Sequence, residues 1–353
     1  MKNKVAIIGS HGLHANYGGW DQLVINLVEN PKRNFEYLVF NSSDSNKDFD
    51  IPIGTKVVFM PLKASGFQGI IYDYISILIS FFKADIFLLL GSQGMPIVFL
   101  LNFIFNKKII VNSGGVEWER EKFGFFAKRY LKLCFDLCFM SANHVIIDNN
   151  IYIKYISPKS KVPFSVISYG GEIDNTLNIS EKIVKKYTFL ENDFFLSISR
   201  SIEDNQLNEI CNTFTKSNKH LVLISNFSNS SYGKKVLTKY SNINNITLID
   251  GLYVKPELDL IRRKCTCYIH THTTCGTAPS LVEMIVCKKP IISFDVPQNR
   301  NTLDNSGIYF NNFEELINIL DLTKDFSDYI PNKNILKNYS WSNVIGTYEN
   351  LFR

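Results

Sequence analysis

No two of the seven cysteines stand in a CxxC pair, and an odd number cannot close a disulfide framework, so reduced thiols are expected. A secretory leader is also missing. The basic start MKNKVAIIGSHG carries only the apolar run VAII before a glycine, too short for a signal core. It reads as a first buried strand of a cytoplasmic protein. Nor is there an unbroken membrane-length apolar run. The nearest, IFLLLGSQGMPIVFLLNFIF (86–105), is interrupted by Gly91, Ser92, Gln93, Gly94 and Pro96. It reads as a strand (86–90), a loop and a helix opening at Pro96. Short-period repeats, low-complexity tracts and nucleic-acid-binding motifs are absent too, so nucleic acid is not an expected partner.

What is present is the composition of a globular chain long enough for two domains: 353 residues, 45% hydrophobic and 20% charged. The net charge of +5 is unevenly placed. Residues 1–168 carry 18 Lys+Arg against 13 Asp+Glu, and residues 169–353 carry 20 against 20. The whole excess lies in the N-terminal half and suggests an anionic partner there. The stretch KFGFFAKRYLKLCFDLCFM (122–140) reads as a basic amphipathic helix, with Lys128, Lys132 and Asp136 on one stripe, Arg129 beside it and aromatic residues over much of the rest. Such a helix suits an anionic lipid surface, and equally a core-packed position with a solvated face.

Short β-rich runs alternate with helical patterns. VAII (5–8), YLVF (37–40), VVFM (57–60), IFLLL (86–90), KIIVN (108–112) and HVIID (144–148) read as strands, with helical spacing over 73–82 and 123–140. A polar stretch after VISYGGE (166–172) reads as a linker. The alternation then restarts with FFLSIS (194–199), LVLIS (221–225), ITLID (246–250), CYIHT (267–271) and PIISF (290–294). Two β-α-β series imply two parallel sheets covered by helices, with ligands beyond the carboxyl ends of the strands and in the cleft between the halves.

CTCYIHTHTTCGTAPSLVEM (265–284) gathers three cysteines and two histidines. On a strand, alternate side chains face opposite ways, which puts Cys265 and Cys267 opposite His270 and His272. Only the two histidines converge, so no metal site is expected. The segment that follows reads differently. Gly276, Thr277, Pro279 and Ser280 open a helix, with Glu283 in its first turn. Free amides at such an end form an anion site, while a carboxylate there could simply favour the helix dipole. A second glycine-rich stretch, GSHGLHANYGGWDQL, follows the first strand. It is not GxGxxG, but adjacent Gly18 and Gly19 allow close backbone approach to a ligand.

GSHGLHANYGGWDQ resembles the GSRGIPANYGGFET signature of bacterial rhamnosyltransferase-like proteins (domain of unknown function DUF1972) in glycosyltransferase family 4. Further motifs resemble that family in order along nearly the whole chain. GGVEWEREKFG (114–124) is similar to DGLEWKRxKW, SISRSIEDNQ (197–206) to VGRxxPENN, and ISNFSNSSYGK (224–234) to ISNWNNTKYG. YIHTHTTCGTAPSLVE (268–283) is similar to YIHGHSVGGTNPSLLEAM, and FDVPQNRNT (294–302) to DVxxNRE.

The resemblance implies a GT-B fold, two Rossmann-like domains facing across a cleft. Residues 1–168 would form the acceptor-binding domain and 169–340 the nucleotide-sugar domain, with the final helix (341–353) crossing back onto the first. It implies catalytic roles for Arg200, on the donor diphosphate, and Glu283, on the nucleotide ribose. Donor contacts are implied for Gly18, Gly19, Asn205, Asn226, Tyr232, His270, His272, Gly276, Thr277 and Ser280. Acceptor-side contacts are implied for His11, Asn16, Tyr17, Glu117, Trp118 and Arg120. The implied activity is retaining, metal- and cofactor-independent transfer of a sugar, best matched by L-rhamnose from dTDP-rhamnose. The implied acceptor is a lipid-linked saccharide of a surface polysaccharide, at the inner face of the cytoplasmic membrane. Among the departures from the family pattern, Gly114 stands for an aspartate, Cys275 for a glycine, His11 for an arginine and Asp21 for a glutamate. Gly114 motivates an alternative, a non-catalytic GT-B binding or partner subunit, against which the retained Arg200 and Glu283 argue.

Overall fold

The computed structural model describes residues 3–15, 18–120, 123–323 and 325–353, leaving the side chains of Phe103 and Phe105 aside. The chain divides into two compact units, Met1–Gly170 with Trp341–Arg353, and Gly171–Ser340. The first unit holds β1 (Lys4–Ile8), α1 (Gly19–Glu29), β2 (Glu36–Asn41), β3 (Thr55–Phe59), α2 (Gly66–Phe81), β4 (Ile86–Leu90), α3 (Met95–Phe105), β5 (Lys108–Asn112), α4 (Phe125–Ser141), β6 (His144–Ile147) and β7 (Phe164–Val166). Its strands form one sheet in the order β3-β2-β1-β4-β5-β6-β7, and every pair is parallel.

Alternation along the strands divides the core in two. Ala6, Ile8, Phe87, Leu89, Ile109 and Val111 face α2, α3 and α4, where Tyr72, Phe81, Val98 and Phe135 are buried against them. Val5, Ile7, Ile86, Leu88 and Ile110 face the other way, toward Leu23, Val24 and Leu27 of α1. The cover on that side is completed by α12 (Trp341–Leu351), which buries Val344, Ile345 and Tyr348, with Phe352 just beyond its end. Each such side chain contributes about 1.5–3 kcal/mol by burial. Polar bonds fix the helix as well: Tyr348 Oη accepts from Asn112 Nδ2 at 2.6 Å, and buried Glu349 accepts from Lys32 N at 3.0 Å.

The second unit continues with α5 (Glu181–Lys186), β8 (Phe195–Ile198), α6 (Leu207–Phe214), β9 (Leu221–Ser225), α7 (Ser231–Tyr240), β10 (Ile246–Asp250), α8 (Lys255–Lys264), β11 (Cys267–His270), α9 (Pro279–Val286), β12 (Ile291–Phe294), α10 (Pro297–Thr302), β13 (Ile308–Phe310) and α11 (Phe313–Leu322). Its parallel sheet runs β10-β9-β8-β11-β12-β13. One face packs on α8 and α9 through Leu196, Tyr268 and Ile291, and the other on α6, α7 and α11 through Phe195, Ile269 and Ile292.

Two parallel α/β sheets are thus present, with three corrections to the sequence reading. β7 and β13 were missed, three residues each at sheet edges. The helix expected over 73–82 starts at Gly66. Cys265 precedes β11 and packs with Tyr268 on the α8–α9 side, whereas Cys267 lies in the opposite core, so the two do not share a face.

Gly9 shows how closely β1 and β4 approach. At φ +98°, a Cβ there would lie 2.0 Å from the Leu90 carbonyl oxygen. Gly18 is extended, and a Cβ there would meet nothing within 4 Å. Gly9→Ala should therefore cost about 2–4 kcal/mol, and Gly18→Ala less than about 0.5 kcal/mol. Urea unfolding of the two variants checks this contrast.

Candidate functional site

In a parallel α/β sheet, loops on either side of the point where strand order reverses leave toward opposite faces, and the crevice between them accepts ligands. The first unit reverses between β1 and β4, the second between β8 and β11.

In the first unit, the loop after β1 is folded around Asp21 in the first turn of α1. Its carboxylate, 1% exposed, accepts from His11 N at 2.9 Å and Gly18 N at 3.2 Å. A shorter aspartate in place of glutamate still closes the loop. His11 is held against it, and its carbonyl accepts the Ser42 amide at 2.9 Å. Asn16 and Tyr17 lie outside the described residues. Of the three residues after β5 expected on the acceptor side, Glu117 and Trp118 stand in a short helical turn and Arg120 follows it. Arg120 Nη1 donates to Glu117 at 3.1 Å, and Trp118 packs edge-on to Phe135 with ring centroids 4.6 Å apart. Trp118 is therefore held by packing against α4.

Sequence reasoning missed Trp20 here. A Cβ on Gly114, which has φ +63°, would come within 2.9 Å of the indole, and one on Gly91 within 3.3 Å. The indole fills the space that a side chain at 114 would need. In the resembling signature the residue at position 20 is phenylalanine and that at 114 aspartate, so this chain carries the larger ring beside the position that lacks the carboxylate. The Trp20 indole N–H is buried, with no hydrogen-bond partner among the described residues. Asp73 is buried beside Gly94, and burial raises its carboxyl pKa to about 8.

In the second unit, the loop after β8 presents Arg200, which is exposed. It is braced from below. Asn205 Nδ2 donates to the Arg200 carbonyl at 2.8 Å, Asn226 Oδ1 accepts Ser201 N at 2.9 Å, and Ser230 Oγ donates to the Ser201 carbonyl at 2.7 Å. Tyr232 accepts the Asn208 amide at 3.0 Å. Asn205, Asn226 and Tyr232 therefore act as struts for the Arg200 loop and the helices behind it.

Adjacent to β8, β11 ends in His270, and His272 follows two residues beyond it, the two rings 4.2 Å apart. Burial lowers the His270 pKa to about 3, and its Nε2 has no partner among the described residues. The ring is a neutral hydrogen-bonding group throughout the physiological range. Among the described residues no three His, Cys, Asp or Glu side chains gather as a metal cluster. Gly276 and Thr277 are buried ahead of α9, Pro279 is its first residue and Ser280 its second; Ala278 offers no side-chain cap. Leu281 N and Val282 N donate to the Ala278 carbonyl and Pro279 has no N–H, so the Ser280 amide and those just ahead of the helix are the donors such an end could turn to an anion.

Glu283 requires a correction. It is the fifth residue of α9, in the second turn, so the helix dipole does not explain it. Its partner is Arg262 of α8, which donates Nη2 to Glu283 Oε2. Arg262 is 4% exposed and also donates Nη1 to fully buried Asp259 at 2.6 Å. Burial raises the Glu283 carboxyl pKa, and Arg262 opposes that shift. No spacing in KPELDLIRRK marks the first of its two arginines as the buried one.

Comparison with known proteins bears on the fold. Residues 2–172 match a family model described as Domain of unknown function (DUF1972). No curated protein matches the sequence. Sucrose-phosphate synthase from Thermosynechococcus elongatus is similar with a TM-score of 0.80 at 12% identity, over 100% of this chain and 98% of that one. Anabaena Alr3699/HepE in complex with UDP-glucose is similar at 0.73 and 13% identity, over 99% of both chains. These likenesses establish the fold as GT-B, two Rossmann-like α/β domains.

Coupling between Trp20 and position 114 can be tested by a double-mutant cycle. Gly114→Asp alone should lose about 2–4 kcal/mol through overpacking and a left-handed backbone. In a Trp20→Phe background the same change should lose at least about 1 kcal/mol less. Equal losses in denaturant unfolding would mean that the indole and position 114 are uncoupled.

Proposed function

We propose that this chain is a retaining glycosyltransferase that moves a sugar from a nucleoside diphosphate to a lipid-linked saccharide in surface polysaccharide synthesis. The observation that carries the reading is the pairing, across adjacent strands at one reversal point, of a braced arginine and an uncapped helix N-terminus. That is a diphosphate site built from fixed positive charge. The fold shared with sucrose-phosphate synthase and with HepE, whose structure holds UDP-glucose, supports the donor class.

Arg200 and the amides before Ser280 hold the diphosphate, and Glu283 accepts from the ribose. His270 and His272 line the floor toward the sugar. As the bond from the anomeric carbon to the diphosphate oxygen breaks, the acceptor oxygen bonds to that carbon on the same face. The acceptor's proton passes to the departing diphosphate oxygen. Fixed donors stabilise the charge as it develops. Neither a divalent ion nor a cofactor is assigned a step. The sugar is L-rhamnose from dTDP-rhamnose, on the strength of the motif resemblance. The alternative, a binding subunit without turnover, rested on Gly114; Trp20 accounts for that residue by packing.

Turnover by the full chain is measured over dTDP-rhamnose and a panel of UDP-sugars, in the presence of a chelator. Arg200→Ala should lower kcat by about 10²–10³-fold, the equivalent of about 3–4 kcal/mol. NMR should show the donor's anomeric configuration kept. No turnover with any donor would favour the binding subunit, and an inverted product would remove the same-face mechanism.

The membrane surface is proposed as the second partner, through α2, α3 and α4. No helix among the described residues is long and apolar enough to cross a bilayer. The outer faces of these helices are nevertheless apolar: Phe67, Ile71, Ile75, Leu78 and Phe82 along and just after α2, Leu100 and Ile104 on α3, Phe126, Leu133 and Met140 on α4. The only charged residue of α2 is the buried Asp73, and α3 has none. Cations flank this surface at Lys63, Lys83 and Arg129. Lys132 adds little, since it is paired with Asp136. A cationic rim repels a second copy and attracts anionic headgroups, which favours lipid. Flotation with vesicles containing phosphatidylglycerol should capture the chain, and Phe67→Ser with Leu100→Ser should release most of it. Failure to float, or dimerisation through this face, would remove the membrane claim.

A further inference from the structure

The ion-pair chain behind Glu283 is costly for a small domain. Asp259 is fully buried and Arg262 nearly so, and apolar side chains of the same volume would pack there without desolvating two charges. Arg262 is locked on one side. Asp259 Oδ1 accepts from it at 2.6 Å, while Oδ2 accepts from Lys255 Nζ at 2.5 Å and from Asp174 N at 2.8 Å. Lys255 Nζ also donates to the Glu172 carbonyl at 2.8 Å. With Nη1 fixed in this way, the planar guanidinium can turn only one edge toward α9, and that edge holds Glu283 Oε2. Close packing limits the other side of the carboxylate's helix. Gly171 lies so near that a Cβ on it would be 3.4 Å from the Glu283 Cα. Yet the Glu283 side chain keeps 27% of its surface exposed.

We propose that Arg262 is a positioning residue for nucleotide recognition, fixing one oxygen of Glu283 so that the other is presented to the ribose hydroxyls of a nucleoside diphosphate. This rests on the donor reading above and adds the residue that makes Glu283 competent. Burial alone would favour a protonated Glu283, which accepts hydrogen bonds poorly; the guanidinium favours the ionised form. Arg262 acts through Glu283 and does not touch the donor itself.

The test is calorimetric titration of the full chain with UDP and with 2′,3′-dideoxyuridine 5′-diphosphate, which lacks both ribose hydroxyls. A second pair, dTDP and its 3′-deoxy analogue, is run alongside. The unsubstituted chain should bind the hydroxylated member about ten-fold or more tightly. Arg262→Met should lose that preference while binding the deoxy member unchanged. Glu283→Gln should behave alike, and the double variant should lose no more than either single one. Arg262→Lys, which keeps the buried charge, covers the case in which the methionine variant does not fold. Its preference should fall to a few-fold, again with deoxy affinity unchanged. If Arg262 variants weaken both members equally, the residue is structural and the proposal is overturned. It is likewise overturned if they keep the full preference. If the unsubstituted chain binds both members alike, the ribose role of Glu283 fails and the proposal with it. Binding of neither pair would remove the donor reading itself.

Discussion

The parallel pairing of β1 with β4 and of β8 with β11 splits each sheet into two runs wound in opposite directions. Loops leaving those strands part to opposite sides, and backbone groups that a continuous ladder would satisfy are left facing one spot. The glycines at 9, 91 and 114 are consequences of that geometry. They sit at positive φ just past strand ends, where the chain must turn without a side chain striking its neighbour. Arg200, the histidine pair and α9 are consequences of the same geometry in the second sheet.

The strands were legible because parallel strands are buried on both faces and read as continuous apolar runs. Ile86–Leu90 and Lys108–Asn112 were read to the residue for that reason. β7 and β13 were not, because a half-exposed edge strand such as Phe164–Ser165–Val166 carries no such run. α2 was read short because its first turns hold two glycines and sit where a loop was plausible. Arg200 and the opening of α9 could be named from motif and spacing. Arg262 could not. Its burial depends on α8 rolling one particular edge toward α9, and a run of three basic residues reads as solvent-exposed. Trp20 was hidden for a similar reason: what identifies it is the emptiness at Gly114 and Gly91, which only three dimensions bring beside it.

Charge is used in two ways in this chain. Around the proposed diphosphate site it is fixed and oriented: Arg200 is strutted by Asn205 through its own carbonyl, and Glu283 by Arg262. On the outside of α2 and α3 charge is withheld, and the cations stand only around the edge. A stripe from Phe67 to Phe82 spans about 22 Å at 1.5 Å per residue, a length suited to lying along a surface and too short to cross one.

The order of synthesis gives α12 a further meaning. The first sheet emerges from the ribosome with one face already supplied with α2, α3 and α4, but its other face is still short of a cover. Some 170 residues of the second unit must be made before Val344, Ile345 and Tyr348 arrive to close it. Until then Asn112, at the tip of β5, also lacks the Tyr348 hydroxyl that holds it. The first half of the chain therefore leaves the ribosome unfinished, with a strip of bare sheet exposed for the whole time its neighbour is being made. Contacts spanning more than two hundred residues close slowly. The seam most open to misfolding or chaperone capture lies beside β5 and α1, where the last helix will sit.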